Sequence, residues 1–245
     1  MPRFLLFLIR VQWIDRLATS SFLIGITLQT AMLTLALVRT ASAPDNALVL
    51  ATRAAMLTCT AIVLLSAMSN IQNEYRYGTI ERVLLGKLPF SRLIAVRSTA
   101  SALVASPAIV VPFIGATLTF PSLLCTQTLV LVLMVYVYLA ALCYQSTLLL
   151  CQFKNSAAMV PWLRMFLLFI GLSVIPFPGS ETLSLFLPTG WMLCVARSRD
   201  AGAWGLETIM FAAVIAVWTG GVWLGLRNRS LRIIERNLTD GAEAT

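Results

Sequence analysis

Histidine is absent from the 245 residues, and lysine occurs only at Lys87 and Lys154. Without histidine, a nucleophile would need a Ser/Lys pair or a carboxylate pair to activate it, and the apolar stretches contain neither. The aspartates Asp15, Asp45, Asp200 and Asp240 are scattered, so no cluster is available to hold Mg²⁺ for phosphoryl transfer. The cysteines Cys59, Cys125, Cys143, Cys151 and Cys194 show no CxxC spacing. Most lie in or beside apolar runs, where a thiol behaves as a small hydrophobe, so a metal site is not expected. Gly78 to Lys87 superficially echoes a P-loop, but the glycine spacing is wrong and Leu88 stands where Ser or Thr is required. We therefore expect no catalytic site, metal or cofactor on this chain.

Charge is also scarce: only 11% of residues are charged, whereas 59% are hydrophobic and the mean hydropathy is +0.87. Soluble domains are less apolar, and long apolar stretches mark membrane proteins. A helix needs about 20 apolar residues to cross roughly 30 Å of hydrocarbon, so six spans would use nearly the whole chain. The net charge of +8 fits basic residues flanking the spans, and no nucleic-acid-binding motif accompanies it.

The chain divides accordingly. Residues 1–18 lack the long apolar core of a signal peptide, since Arg10, Asp15 and Arg16 interrupt it. They are expected to form an amphipathic helix on the membrane surface, with Phe4, Leu5, Leu8 and Trp13 dipping inward. Spans are expected near 19–38, 47–68, 94–119, 123–150, 157–175 and 204–226. Pro107 and Pro112 should bend the third, because proline removes a backbone donor. Phe120-Pro121-Ser122 reads as a short outer turn, and Arg164 is an unusual charge within the fifth span. Residues 180–203 are too short of apolar side chains to cross, and Pro188-Thr189-Gly190 is expected to break them into a re-entrant hairpin. Pro188, Gly190 and Trp191 are its expected gate residues. Arg227, Arg229, Arg232 and Arg236 mark a basic, polar tail over 227–245.

Basic residues also set the orientation. One side receives Arg3, Arg10, Arg16, Arg76, Arg82, Lys87, Arg92, Arg97, Lys154 and the tail arginines; the other receives Arg39, Arg53, Arg197 and Arg199. Lys and Arg concentrate in cytoplasmic loops, so both termini and residues 70–92 are expected in the cytoplasm of a multi-pass protein. On that topology, the glycosylation-like triplets at Asn228 and Asn237 are coincidental.

The most patterned polar stretch is Asn73 to Arg97, NEYRYGTIERVLLGKLPFSRLIAVR. Gly78 is a natural helix stop and Thr79 a natural start. Ile80, Val83, Leu84 and Lys87 then share one helical face. Such a face suits a groove in a partner, with Glu74, Arg76, Glu81 and Arg82 setting register through charge pairs.

Taken together, the six spans, the surface helix, the outer hairpin before the last span and the loop EYRYGTIERVLLGKLPFSR resemble the membrane subunit of type-2 ABC exporters. The loop of that family carries an acidic residue, Gly-Thr-Leu-Glu, a leucine pair, then a proline followed by Ser-Arg. Here the matching residues are Glu74, Gly78-Thr79-Ile80-Glu81, Leu84-Leu85, Pro89 and Ser91-Arg92, with Tyr75, Arg76 and Arg82 in the same region. Ile80 departs from Leu, and Gly86-Lys87-Leu88 replaces a small residue or Thr before the proline. The resemblance implies an all-α permease domain over 1–245 in a bacterial cytoplasmic membrane. It further implies a second permease copy and a separate ATP-binding subunit that carries ATP and Mg and docks on this coupling region. The implied cargo is an amphipathic antibiotic, natural product or modified peptide, with lipid-linked glycan or teichoic acid as the alternative. Outside that class stand a secondary transporter, disfavoured by the scarcity of intramembrane ionisable groups, and a non-transporting immunity or sensor protein.

Overall fold

The computed structural model describes residues 25, 27–28, 30–32, 34–35, 41, 43–76, 90–150, 161, 165, 185–198 and 201–242. Within 64–76, 90–93, 150, 201–203 and 225–242 the description is of the backbone. Among these residues the ordered elements are helical, with no strand. The chain is helical at every described position between 25 and 35. It then forms α1 (Pro44–Arg76), α2 (Phe90–Val104), α3 (Ser106–Thr119), a 3₁₀ turn at Pro121–Leu123, α4 (Thr126–Leu150), α5 (Pro188–Arg197) and α6 (Ala201–Ala242). Three stretches are long and apolar enough to cross a membrane: Pro44–Val63, Thr126–Leu149 and Trp204–Leu224. α2 and α3 together make a fourth if their 43° bend is one broken span. The expected surface helix at 1–18 lies outside the described residues, as does the expected fifth span except at 161 and 165.

α4 is the central post and packs against α1, α2, α3, α5 and α6. Leu131, Met134, Val135, Tyr138, Leu139, Leu142 and Cys143 are buried along one face, at the spacing of an amphipathic helix. Leu129, Leu133 and Val137 occupy the opposite, exposed face. α1 meets this core through small side chains: Ala47, Ala51, Ala55 and Cys59 are fully buried. Between apolar helices in lipid there is no hydrophobic drive, so close approach and dispersion hold the pair together.

Pairings along α4 fix the helix directions. Cys59 of α1 lies beside Tyr138 and Cys143, and Gln145 bonds Thr219 of α6 at 3.4 Å. α1, α4 and α6 therefore run parallel, with the starts of all three at one end of the bundle. α2 and α3 run the other way, Tyr136 of α4 sharing a side-chain hydrogen bond with Ser106 at their junction. The end of α1 and the start of α2 thus lie together at the far end.

The bend appears where proline chemistry requires it. A continuous helix would drive the Pro107 ring into the carbonyl of residue 103. The chain instead breaks at Ala105, and α3 starts afresh with Pro107 in its first turn. The α3 terminus is sealed by Phe120 N–H donating to the Ala116 carbonyl at 2.9 Å. The outer turn expected at 120–122 is the 3₁₀ turn, whose Leu123 carbonyl accepts from the Thr128 hydroxyl.

Three boundaries differ from expectation. α1 runs to Arg76 rather than stopping near Met68, so Glu74, Tyr75 and Arg76 form its last turn. No glycine or proline interrupts 53–76, and the helix outlasts its apolar stretch. α6 likewise continues to Ala242, because 226–240 holds neither glycine nor proline. The segment read as a polar tail is therefore helical. Pro188-Thr189-Gly190 does not break a helix; it makes the first turn of α5. The break precedes it at Leu187, which is extended (φ −110°, ψ 146°), as a residue before proline prefers. Proline in a first turn loses no bond, since its missing N–H would be unpaired there anyway.

Close packing supplies two tests. The Thr34 hydroxyl donates to the Thr30 carbonyl at 2.7 Å, which fixes its methyl 2.9 Å from where a Cβ on Gly115 would sit. Gly115→Ala should cost about 1–3 kcal/mol in thermal unfolding of the detergent-solubilised protein, because Thr34 must leave its rotamer. Tyr138 is buried with a hydroxyl that has no partner. Tyr138→Phe should therefore be neutral or stabilising by up to about 1 kcal/mol in the same assay.

Candidate functional site

Two regions at opposite ends of α4 hold the residues to which function was attached. The first is the rim where α1, α4 and α6 begin, and α5 is its centre. At ten residues it is about 15 Å long, far too short to cross. It lies against α1, α4 and α6, with Met192, Leu193, Val195 and Ala196 turned inward and buried. Its polar residue Thr189 is fully buried too.

Both ends of α5 are tied. At its start the Trp191 indole N–H donates to the Leu185 carbonyl at 3.0 Å, bridging the extended residue Leu187. At its end the Gln127 amide donates to the carbonyls of Val195 and, at 2.8 Å, Ser198. Those carbonyls belong to the orphan set that every helix terminus leaves behind. One side chain in the first turn of α4 therefore caps α5 and fastens it to the central post. The expected gate residues share one turn but differ in exposure: Pro188 and Gly190 are buried as a wedge, and Trp191 is half-exposed.

Positive charge gathers at this rim. Arg197 stands in the last turn of α5, where the helix dipole favours a cation. Its like charge reaches Arg53 of α1. Arg53 is half-buried, and its Nε has no hydrogen-bond partner. Asp45 in the first turn of α1 brings a carboxylate to the same end. Gln127 carried one sequence signal that was passed over, being an amide in the first turn of an otherwise apolar span. The approach of Arg197 to Arg53 had no sequence signal, because it depends on how α5 folds back.

The second region is the coupling stretch at the opposite end. Glu74, Tyr75 and Arg76 close α1, while Ser91 and Arg92 open α2, all as helical backbone. Gly78, Thr79, Ile80, Glu81, Arg82, Leu84, Leu85 and Pro89 lie outside the described residues. Arg164 does as well. Among the described residues, no three His, Cys, Asp or Glu side chains gather as a metal site would require. Glu207 lies within the apolar part of α6 with one carboxylate oxygen buried and unpartnered. Comparison with protein-family models, with curated proteins and with solved structures finds no match in any of the three.

The Gln127 cap is directly testable. Gln127→Leu keeps the bulk of the side chain but removes the amide donor from the Val195 and Ser198 carbonyls, leaving Val195 with only the 3.3 Å bond from the Ser198 N–H. It should lower stability by about 1–3 kcal/mol and raise the rate of tryptic cleavage after Arg197, as read by mass spectrometry.

Proposed function

We propose that this chain is the membrane-spanning subunit of an ATP-driven exporter. It would move an amphipathic natural product or modified peptide out of a bacterial cell, using energy from a separate ATP-binding subunit. In this reading the chain crosses the cytoplasmic membrane six times with both termini inside, and it pairs with a second permease copy. The observation that carries the proposal is the loop sequence Glu74 to Arg92, whose Gly-Thr-Ile-Glu, leucine pair and Pro-x-Ser-Arg stand in the order of the exporter loop.

The helices support it by supplying a mechanical path. The loop leaves α1 at Arg76 and enters α2 at Phe90, so only residues 77–89 separate two helices of the bundle. A partner gripping that loop would act on both helices with little slack. α1 continues to the opposite rim, where α5 is seated against it. Closure of the ATP-binding subunits would tilt α1, and α5 would follow because its apolar face is buried against α1 and α4. The bend between α2 and α3 provides a second place where motion is absorbed. A nucleotide can drive such a cycle only through its different affinities for the two states of the ATP-binding subunit.

Charge reversal at the loop tests this. Glu81→Lys should leave membrane insertion intact and reduce co-purification with the ATP-binding subunit. ATPase activity of the purified complex should fall by about tenfold, as for loss of a charge pair at a docking surface. Wild-type association and ATPase activity in Glu81→Lys would remove the docking assignment.

A further inference from the structure

α2 and α6 both pack on α4 and make little contact with each other. Between them lies a groove of about 340 Å³, with α4 as its floor. Its existence follows from residue size. The floor is Ala140 and Ala141, the α2 wall presents Ala95 and Thr99, and the α6 wall presents Thr219 and Gly220. A Cβ built on Gly220 meets nothing within 4 Å, so the space above this glycine is open. Two aromatic residues, Tyr144 and Trp223, border the groove.

We propose that this groove is a binding site for one acyl chain of a bilayer phospholipid. The chemistry of the wall selects the occupant. The Thr99 hydroxyl is already committed to the Ala95 carbonyl at 2.9 Å, and Thr219 is engaged by Gln145. The lining is therefore mostly methyl groups, alanine side chains and aromatic rings, with the hydroxyls of Ser98 and Tyr144 as its remaining polar groups. A sugar or peptide would find few partners there, whereas a hydrocarbon chain loses none. The size is compatible, for about 340 Å³ is at the lower end of ligand sites.

Position decides between a lipid and other apolar occupants. The groove opens between two apolar helices, on the side where Ala95 and Thr99 are exposed. α6 is the most peripheral of the three apolar stretches: 6% of it is buried, against 61% for that of α1. Its neighbouring residues Val217 and Leu224 are 71% and 70% exposed. The groove is therefore continuous with a surface that lipid covers, and a chain slides in sideways without crossing a polar barrier. The inference stands on this geometry alone and does not depend on the exporter reading.

The test uses the full chain in nanodiscs containing a phosphatidylglycerol with a diazirine on its acyl chain. After illumination, labelled peptides are mapped by mass spectrometry. Residues 95–99, 140–144 and 219–223 should carry about threefold more label than the exposed face of α4 at 129–137, a modest excess because packing alone drives association in hydrocarbon. Gly220→Leu places bulk in the groove from a position where a Cβ meets nothing, and should abolish the excess while preserving the unfolding temperature. Gly220→Ala adds one methyl group and should retain most of it. Uniform labelling of α4, or an excess that survives Gly220→Leu, would overturn the proposal. So would cross-linking of two protein copies through these residues in place of lipid labelling, since a second chain would then fill the groove.

Discussion

A helix in hydrocarbon has no water to satisfy a stray backbone or side-chain polar group. The described part of this protein is arranged around that constraint. Its threonines are the clearest sign. Thr34, Thr52, Thr58, Thr99, Thr119 and Thr208 each donate a hydroxyl to the carbonyl one turn back. Each thereby becomes effectively apolar toward its neighbours. Thr30 and Thr58 also meet across two helices at 3.2 Å. Where the ladder must be interrupted, the loose groups are collected locally: Phe120 closes α3 and Gln127 closes α5. The few orphans that remain, Tyr138, Arg53 and Glu207, are correspondingly conspicuous.

The second requirement is proximity. Dispersion falls steeply with distance, so helices that cannot rely on water expulsion must come close. The alanines of α1, and Gly115 opposite Thr34, let this happen. Small residues have the opposite effect between α2 and α6, which make little contact with each other and leave space above α4. The same residue types thus make a tight seam or an open groove, depending on whether a partner helix is near enough to use them.

Much of this was legible from composition and punctuation. The apolar stretches of α1, α4 and α6 declared themselves by length, and Pro107 and Pro112 signalled a bend, which falls just before Pro107 while α3 continues through Pro112. The helix ends were less legible, for a physical reason. A helix in a membrane protein stops where its backbone is interrupted, not where its side chains turn polar. α1 and α6 therefore outrun their hydrophobic windows: no proline stands near 68 or 226, and α6 continues helical through Gly225. Pro188 does mark a break, which falls one residue ahead of it at extended Leu187, and the proline itself opens the helix that follows. Pro188, Gly190 and Trp191 fall in one turn of α5, and the burial of the first two depends on α5 folding inward. The Gln127 clamp joins positions about seventy residues apart, and the periodicity of either segment contains no trace of it.

The length of α6 has a geometric consequence. Its 42 residues extend about 63 Å, roughly twice the thickness of the hydrocarbon it can span. A helix without a break is a screw: each residue advances the thread by about 1.5 Å and turns it by about 100°. The backbone at positions 227, 229, 232 and 236 therefore has both its height along the helix axis and its angle about it set by residues 204–224. A single residue inserted near Leu224 would turn those positions by more than a quarter turn while leaving their sequence unchanged.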